Sequence, residues 1–288
     1  MNFFRILSAL MLLFASSAFA AKPSKGLNIV TTSSPMAAIF HMIITTGDKV
    51  DYLVEQGCPH HYQMKPSQMQ LIKKADIISY INKDFDSFIV NASSQNEKAY
   101  VINFSDLKLF LITNQSGSTN WHIWLDTKNV RLMMLEIMDV VSKLRQDKKD
   151  LYLENYQKAI ALLDLLDKKA ATISADKQLL LADNIEYLFA QFKNEPGKIL
   201  LGHKQATIEY ARNLRNKANS GQFYCAIISN HQSDEYYNNM MNSKLNLVTL
   251  HPEDWVISPK DDHALIYYTN MQSMYNKLQN LCSAMELK

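Results

Sequence analysis

Glycine is scarce, with 7 in 288 residues. A loop that cradles phosphate needs several glycines close together, and no Walker or Rossmann spacing occurs. Neither sign of charge dominates: 30 basic against 28 acidic residues leave a net +2, which argues against nucleic acid as a partner. There is no His-Glu-x-x-His and no Gly-x-Ser-x-Gly, so neither a metalloprotease helix nor a nucleophile elbow is present. No enzyme activity is expected. Beyond the first twenty residues no apolar run is long enough to span a bilayer. The 14 methionines are spread along the chain, so a thioether copper site is not indicated.

What is present begins with an export pattern. Arg5 supplies a positive end, Ile6 to Phe14 a short apolar stretch, and Ala18-Phe19-Ala20 a small-x-small cleavage site. Residues 1–20 are therefore expected to be a cleaved signal peptide and the chain periplasmic. No cysteine follows the cut, so no lipid attachment point is expected. Three cysteines, Cys58, Cys225 and Cys282, in an exported chain suggest one disulfide and one spare thiol.

Hydropathy alternates between strand-like and helix-like runs. Leu27–Thr32, Lys49–Val54, Asp76–Ile81 and Tyr100–Phe104 read as strands. Between them a helix starts at Ser34-Pro35 and runs to about Thr46. Another is capped by Ser67 with Gln70 closing a capping box, and a short one covers Phe85–Asn91. Thr113–Asn120 is polar and reads as a loop. Two amphipathic runs follow, Thr127–Leu144 and Leu151–Ile173, separated by the charged cluster Arg145–Asp150. Strands are then expected at Gln178–Leu181, Ile199–Leu201, Phe223–Ile228 and Leu245–Leu250. Helices are expected at Ile185–Phe192, Thr207–Asn219, Ser233–Met241 and Ala264–Leu281. Such alternation implies an α/β fold with mostly parallel sheets.

Two stretches carry the candidate chemistry. Gly57-Cys58-Pro59-His60-His61-Tyr62 puts paired imidazoles on a loop between a strand end and a helix start, where α/β proteins hold ligands. Trp121-His122-Ile123-Trp124-Leu125-Asp126 sets a histidine between two of the three tryptophans, and bulky neighbours can hold a metal ligand in one rotamer. The same pattern also suits an aromatic core patch with a satisfied histidine.

In this order, Pro-His-x-Tyr-x-x-x-Pro-Ser and His-x-Trp-Leu-Asp resemble the substrate-binding proteins of zinc and manganese ABC transporters, the periplasmic zinc-binding members above all. The resemblance runs from about Leu27 to the end of the chain. It implies two α/β lobes, residues 25–126 and 175–288, joined by a rigid helical segment, residues 127–174. It implies a bridge between Cys225 and Cys282. It implies a monomeric receptor that captures zinc (manganese is the lesser fit) and delivers it to the membrane permease of a metal ABC transporter. It also implies metal ligands at His60 and His122.

The second lobe departs from the pattern. Where the family has a His or Glu ligand before an Asp, this chain has Ala182 before Asp183. Where the family has Leu-Asp-Pro, it has Leu250-His251-Pro252. The expected zinc set is therefore His60, His122 and His251, with Asp183, His61 or water in the fourth place, a donor set that suits zinc. Among the other histidines, His231 and His263 are expected to be bystanders. The alternative is a divergent member that has lost its metal and serves as an adhesion or other binding module.

Overall fold

The computed structural model describes residues 25–55, 57, 59, 62–114, 117–201 and 206–282. The export segment, Cys58, His60, His61 and His203 lie outside the described residues.

The first lobe holds β1 (Asn28–Ser33), β2 (Lys49–Val54), β3 (Ile77–Tyr80) and β4 (Tyr100–Asn103), all parallel in the order β2-β1-β3-β4. The second lobe holds β7 (Gln178–Leu180), β8 (Gly197–Lys198), β9 (Cys225–Ser229) and β10 (Asn246–Leu250), parallel in the order β10-β9-β7-β8. Each lobe therefore places its first strand between its second and its third, and the fourth next to the third. The two lobes repeat one strand order although no sequence repeat links them. The strand order reverses between the first and third strands of each sheet, and the crevice at their C-terminal ends is where such sheets bind ligands.

Side-chain alternation assigns the faces. Ile29 and Ile77 enter the large central core, while Val30 and Ile78 enter an outer cluster of the first lobe. In the second lobe Cys225, Ile227 and Leu180 face the central core, and Ala226, Ile228 and Leu179 the outer cluster. Both faces of each sheet are covered, which explains strands read as continuous apolar runs.

The central core is shared because of two helices. Helix α4 (Thr127–Leu144) is capped by Asp126, whose carboxylate accepts the Lys128 N–H at 2.7 Å. A 3₁₀ turn, Gln146–Lys148, reverses the chain into α5 (Lys149–Ala170). Helix α5 is unbroken over 22 residues, about 33 Å at 1.5 Å per residue. Its first half is tied to the first lobe: the Tyr152 hydroxyl donates to Asp48 at 2.9 Å, and the Asn155 amide donates to the carbonyls of Ile43 and Ile44. Helix α5 also packs against the last helix, α9 (Ile266–Leu281). A disulfide joins Cys225 on β9 to Cys282 just past α9, with Cα atoms 5.2 Å apart.

Several local expectations are corrected. Helix α1 (Ser34–His41) stops well before Thr46, because Asn155 takes the carbonyls of Ile43 and Ile44. Helix α2 (Pro66–Lys74) begins before Ser67, with Pro66 in the first turn, where a missing N–H costs nothing. There Gln68, not Gln70, accepts the Lys65 N–H, and its buried amide also donates to Leu53. The short helix of the first lobe, α3, covers Ser87–Ser93. The polar stretch is a hairpin, β5 (Ile112–Thr113) against β6 (Thr119–Asn120), turned through Gly117 at φ +83°. The helix expected over Ile185–Phe192 is a 3₁₀ turn, Asp183–Ile185, followed by the short α6 (Glu186–Phe189). The strand expected at Ile199–Leu201 pairs earlier, as β8. Helices α7 (Ile208–Ala218) and α8 (Asp234–Met241) start where the capping hydroxyls of Thr207 and Ser233 put them. No helix among the described residues is long and apolar enough to cross a membrane.

Candidate metal centre

A cavity of about 280 Å³ lies between the lobes. The first lobe contributes Phe85 and the hairpin end Thr119 to His122. The second contributes Ala182, Asp183 and Asn184 after β7, Ser229 at the end of β9 with His231 and Gln232 beyond it, and Glu253 after β10. The second-lobe groups all follow the C-terminal ends of parallel strands, as the fold requires.

His122 is held on every side. Its ring packs edge-on against Phe85 at 5.5 Å and lies 5.1 Å from the fully buried Trp124. Its Nδ1 lies 2.8 Å from Asn120 Oδ1, which also accepts the His122 backbone N–H at 3.1 Å. The other end of that amide donates to the Asp183 carbonyl at 2.7 Å, so the hydrogen-bond network sets the amide orientation. Asn120 Oδ1 is therefore an acceptor and Nδ1 carries the hydrogen. Nε2 is left to face the cavity, where it lies 2.9 Å from Glu253 Oε1. The hairpin itself is fixed to the second lobe through Tyr187, whose hydroxyl donates to the Asn120 carbonyl and accepts the Ile112 N–H.

Glu253 is the most constrained charge in the cavity. Its side chain is 5% exposed, and it joins two imidazoles: Oε1 to His122, and Oε2 to His231 Nε2 at 3.0 Å. The Asn184 amide donates to Oε1 at 3.1 Å. Burial works to raise the carboxyl, but the hydrogen bonds from His122 and His231, with their positive charge, outweigh it and hold Glu253 well below the usual carboxylate range. The same bond pushes His231 above its ordinary value against the opposing effect of burial.

The structure brings together some of the expected residues and not others. His122 and Asp183 share the cavity. Ala182 lines it as well, without a donor atom. His251 is exposed and outside the cavity lining, and its backbone carbonyl accepts the Trp255 indole N–H at 3.0 Å. The chain bends at Pro252 and Glu253 after β10, and the residue that enters the cavity is Glu253, two positions past His251. His60 and His61 lie outside the described residues, but Gly57 of their loop donates its N–H to Asp254 Oδ1 at 3.0 Å. That bond ties Gly57 to the residue after Glu253. Among the described residues no group of three or more His, Cys, Asp and Glu has an arrangement that holds a metal ion.

The residues that sequence reasoning passed over are His231 and Glu253. The only signal for His231 was its place two residues past a strand end. Glu253 had none, because its partners are 131 and 22 residues away.

With this arrangement in view, residues 29–281 match the family described as zinc-uptake complex component A, periplasmic. The chain belongs to that family. Its members are substrate-binding proteins of metal ABC transporters, components of transport systems and not enzymes. This member is 31% identical over 263 residues to the Rickettsia prowazekii protein RP014, covering 88% of this chain and 82% of the relative. It is 28% identical over 171 residues to the metal ABC transporter substrate-binding lipoprotein SloC of Streptococcus mutans, spanning about half of each chain (54% and 56%). The fold matches that of the periplasmic zinc-binding protein TroA from Treponema pallidum. That superposition has a TM-score of 0.76 at 16% identity, over 91% of this chain and 100% of the other.

Proposed function

We propose that this family member is a monomeric periplasmic receptor that captures zinc between its lobes and hands it to the membrane permease of a metal ABC transporter. The observation that carries the reading is His122. Its Nδ1 is committed to Asn120, its ring is clamped by Phe85 and Trp124, and its Nε2 faces the interlobe cavity. A metal-ligating histidine typically has this preparation, with the far nitrogen hydrogen-bonded and the rotamer locked. His60 is proposed as the second imidazole of the first lobe, with His61 on the same loop. Asp183 lines the cavity from the other side, whereas His251 would have to turn inward to reach the same ion. Imidazole nitrogens favour zinc over manganese, which prefers oxygen donors.

Metal analysis and chelator competition on protein purified without an affinity tag test this reading. One zinc per chain, bound well above manganese in affinity, is the expected result. A second reading, a family member that no longer binds metal and serves as an adhesion or other binding module, draws on Ala182 in the cavity wall. It would be upheld by wild-type protein that takes up neither ion.

A further inference from the structure

The second lobe faces the cavity with an alanine where a ligand is expected, yet it sends one buried carboxylate to the metal-facing nitrogen of His122. We infer that Glu253 is the second lobe's metal donor in this chain and that His231 is the residue that positions it. The inference rests on the receptor reading above.

The geometry supports insertion of an ion. Two donors each about 2.0–2.1 Å from a tetrahedral zinc stand about 3.3 Å apart. His122 Nε2 and Glu253 Oε1 are 2.9 Å apart, so spreading by a few tenths of an ångström makes this pair one edge of a coordination polyhedron. Oε2 stays on His231, which fixes the carboxylate's rotation in the way an outer hydrogen-bond partner fixes a ligating side chain.

The backbone that carries Glu253 is equally fixed. The Pro252 carbonyl accepts the Trp124 indole N–H at 2.9 Å. The Ser34 hydroxyl donates to the Glu253 carbonyl at 2.9 Å and accepts the Trp255 N–H at 3.0 Å. Asp254 holds Gly57, three positions before His60. Residues 252 to 255 thus belong to the second lobe in sequence and lie on the first in space. They present the carboxylate beside His122, with Gly57 tied to the next residue.

The experiment is competition titration of zinc against a chelator with the full mature chain, comparing wild type, Glu253→Gln, His231→Ala, His231→Gln and His251→Ala. Glu253→Gln should weaken zinc at least tenfold, and His251→Ala should stay within threefold of wild type. His231→Ala should weaken binding several-fold and His231→Gln, which keeps a donor for Oε2, should recover most of the loss. X-ray absorption on zinc-loaded wild type supplies a readout that needs no variant to fold, and it should show a carboxylate oxygen in the shell. A shell of imidazoles alone, or a tenfold loss in His251→Ala with Glu253→Gln unchanged, overturns the inference and leaves the receptor reading standing. Wild type that binds no zinc overturns the receptor reading itself.

Discussion

Breaking the Cys225–Cys282 bridge should destabilise the protein by a calculable amount. The two residues are 57 apart in sequence. In the chain-entropy model a loop of that length restricts the unfolded state by about 14 cal/mol/K, or about 4 kcal/mol at 25 °C. For a chain of this size each kcal/mol moves the melting temperature by about 2–4 °C, so the expected loss is on the order of 10 °C. Cys225 is fully buried and Cys282 nearly so, hence Cys282→Ser is the milder disruption and reduction the cleaner one. The closed loop contains β10, the Pro252–Trp255 segment and α9. Loosening it therefore loosens the support of Glu253 as well as the terminal helix. Calorimetry with and without reductant, alongside non-reducing peptide mapping, makes the measurement. A melting shift under about 3 °C, or mapping that finds Cys58 bridged instead, would refute the reasoning.

Other outcomes follow from single contacts. His41 lies against the His263 ring at 4.6 Å, and burial, then the charge of His263, lowers it from 6.5 to about 4. A base whose folded value is depressed leaves stability whole above about pH 6.5 and removes it as the pH falls toward 4, by at most about 3 kcal/mol. Chemical denaturation of His41→Gln should show a shallower acid slope than wild type, and parallel slopes would contradict this. Asn120→Ala removes the acceptor of His122 Nδ1 and a tie to Asp183. It should weaken zinc about tenfold, as loss of an outer partner commonly does, in chelator titration. Tyr187→Phe deletes the hydroxyl that holds both hairpin strands and should lower stability by about 1 kcal/mol in urea unfolding. Free zinc at a hundred times its dissociation constant should raise stability by about 2.7 kcal/mol, read as a rise in melting temperature.

Period and punctuation made the architecture legible. Strands buried on both faces read as apolar runs, and the run from Leu151 announced α5 by its spacing. Boundaries failed where a distant side chain decided them. Asn155 ends α1, and the buried Gln68 sets the start of α2, and neither shows in local propensity. The site divided in the same way. His122 was legible because its clamps are neighbours in sequence: Asn120 two positions before, Trp124 two after. His251 and Glu253 were not told apart, because the sequence marks where β10 ends and not which residue beyond it turns inward. That choice is made by Ser34, more than two hundred residues away.

The segment from Pro252 to Trp255 also bears on the speed of exchange. Swinging the lobes apart would break its bonds to Trp124, His122, Ser34 and Gly57 together, several kcal/mol at about 1 each. The hairpin on the cavity rim is tied to the second lobe as well, through Tyr187 and Asn120. Under the receptor reading, a swing of whole lobes has to break all of these ties at once, so the lobes are expected to keep their spacing while an ion enters and leaves.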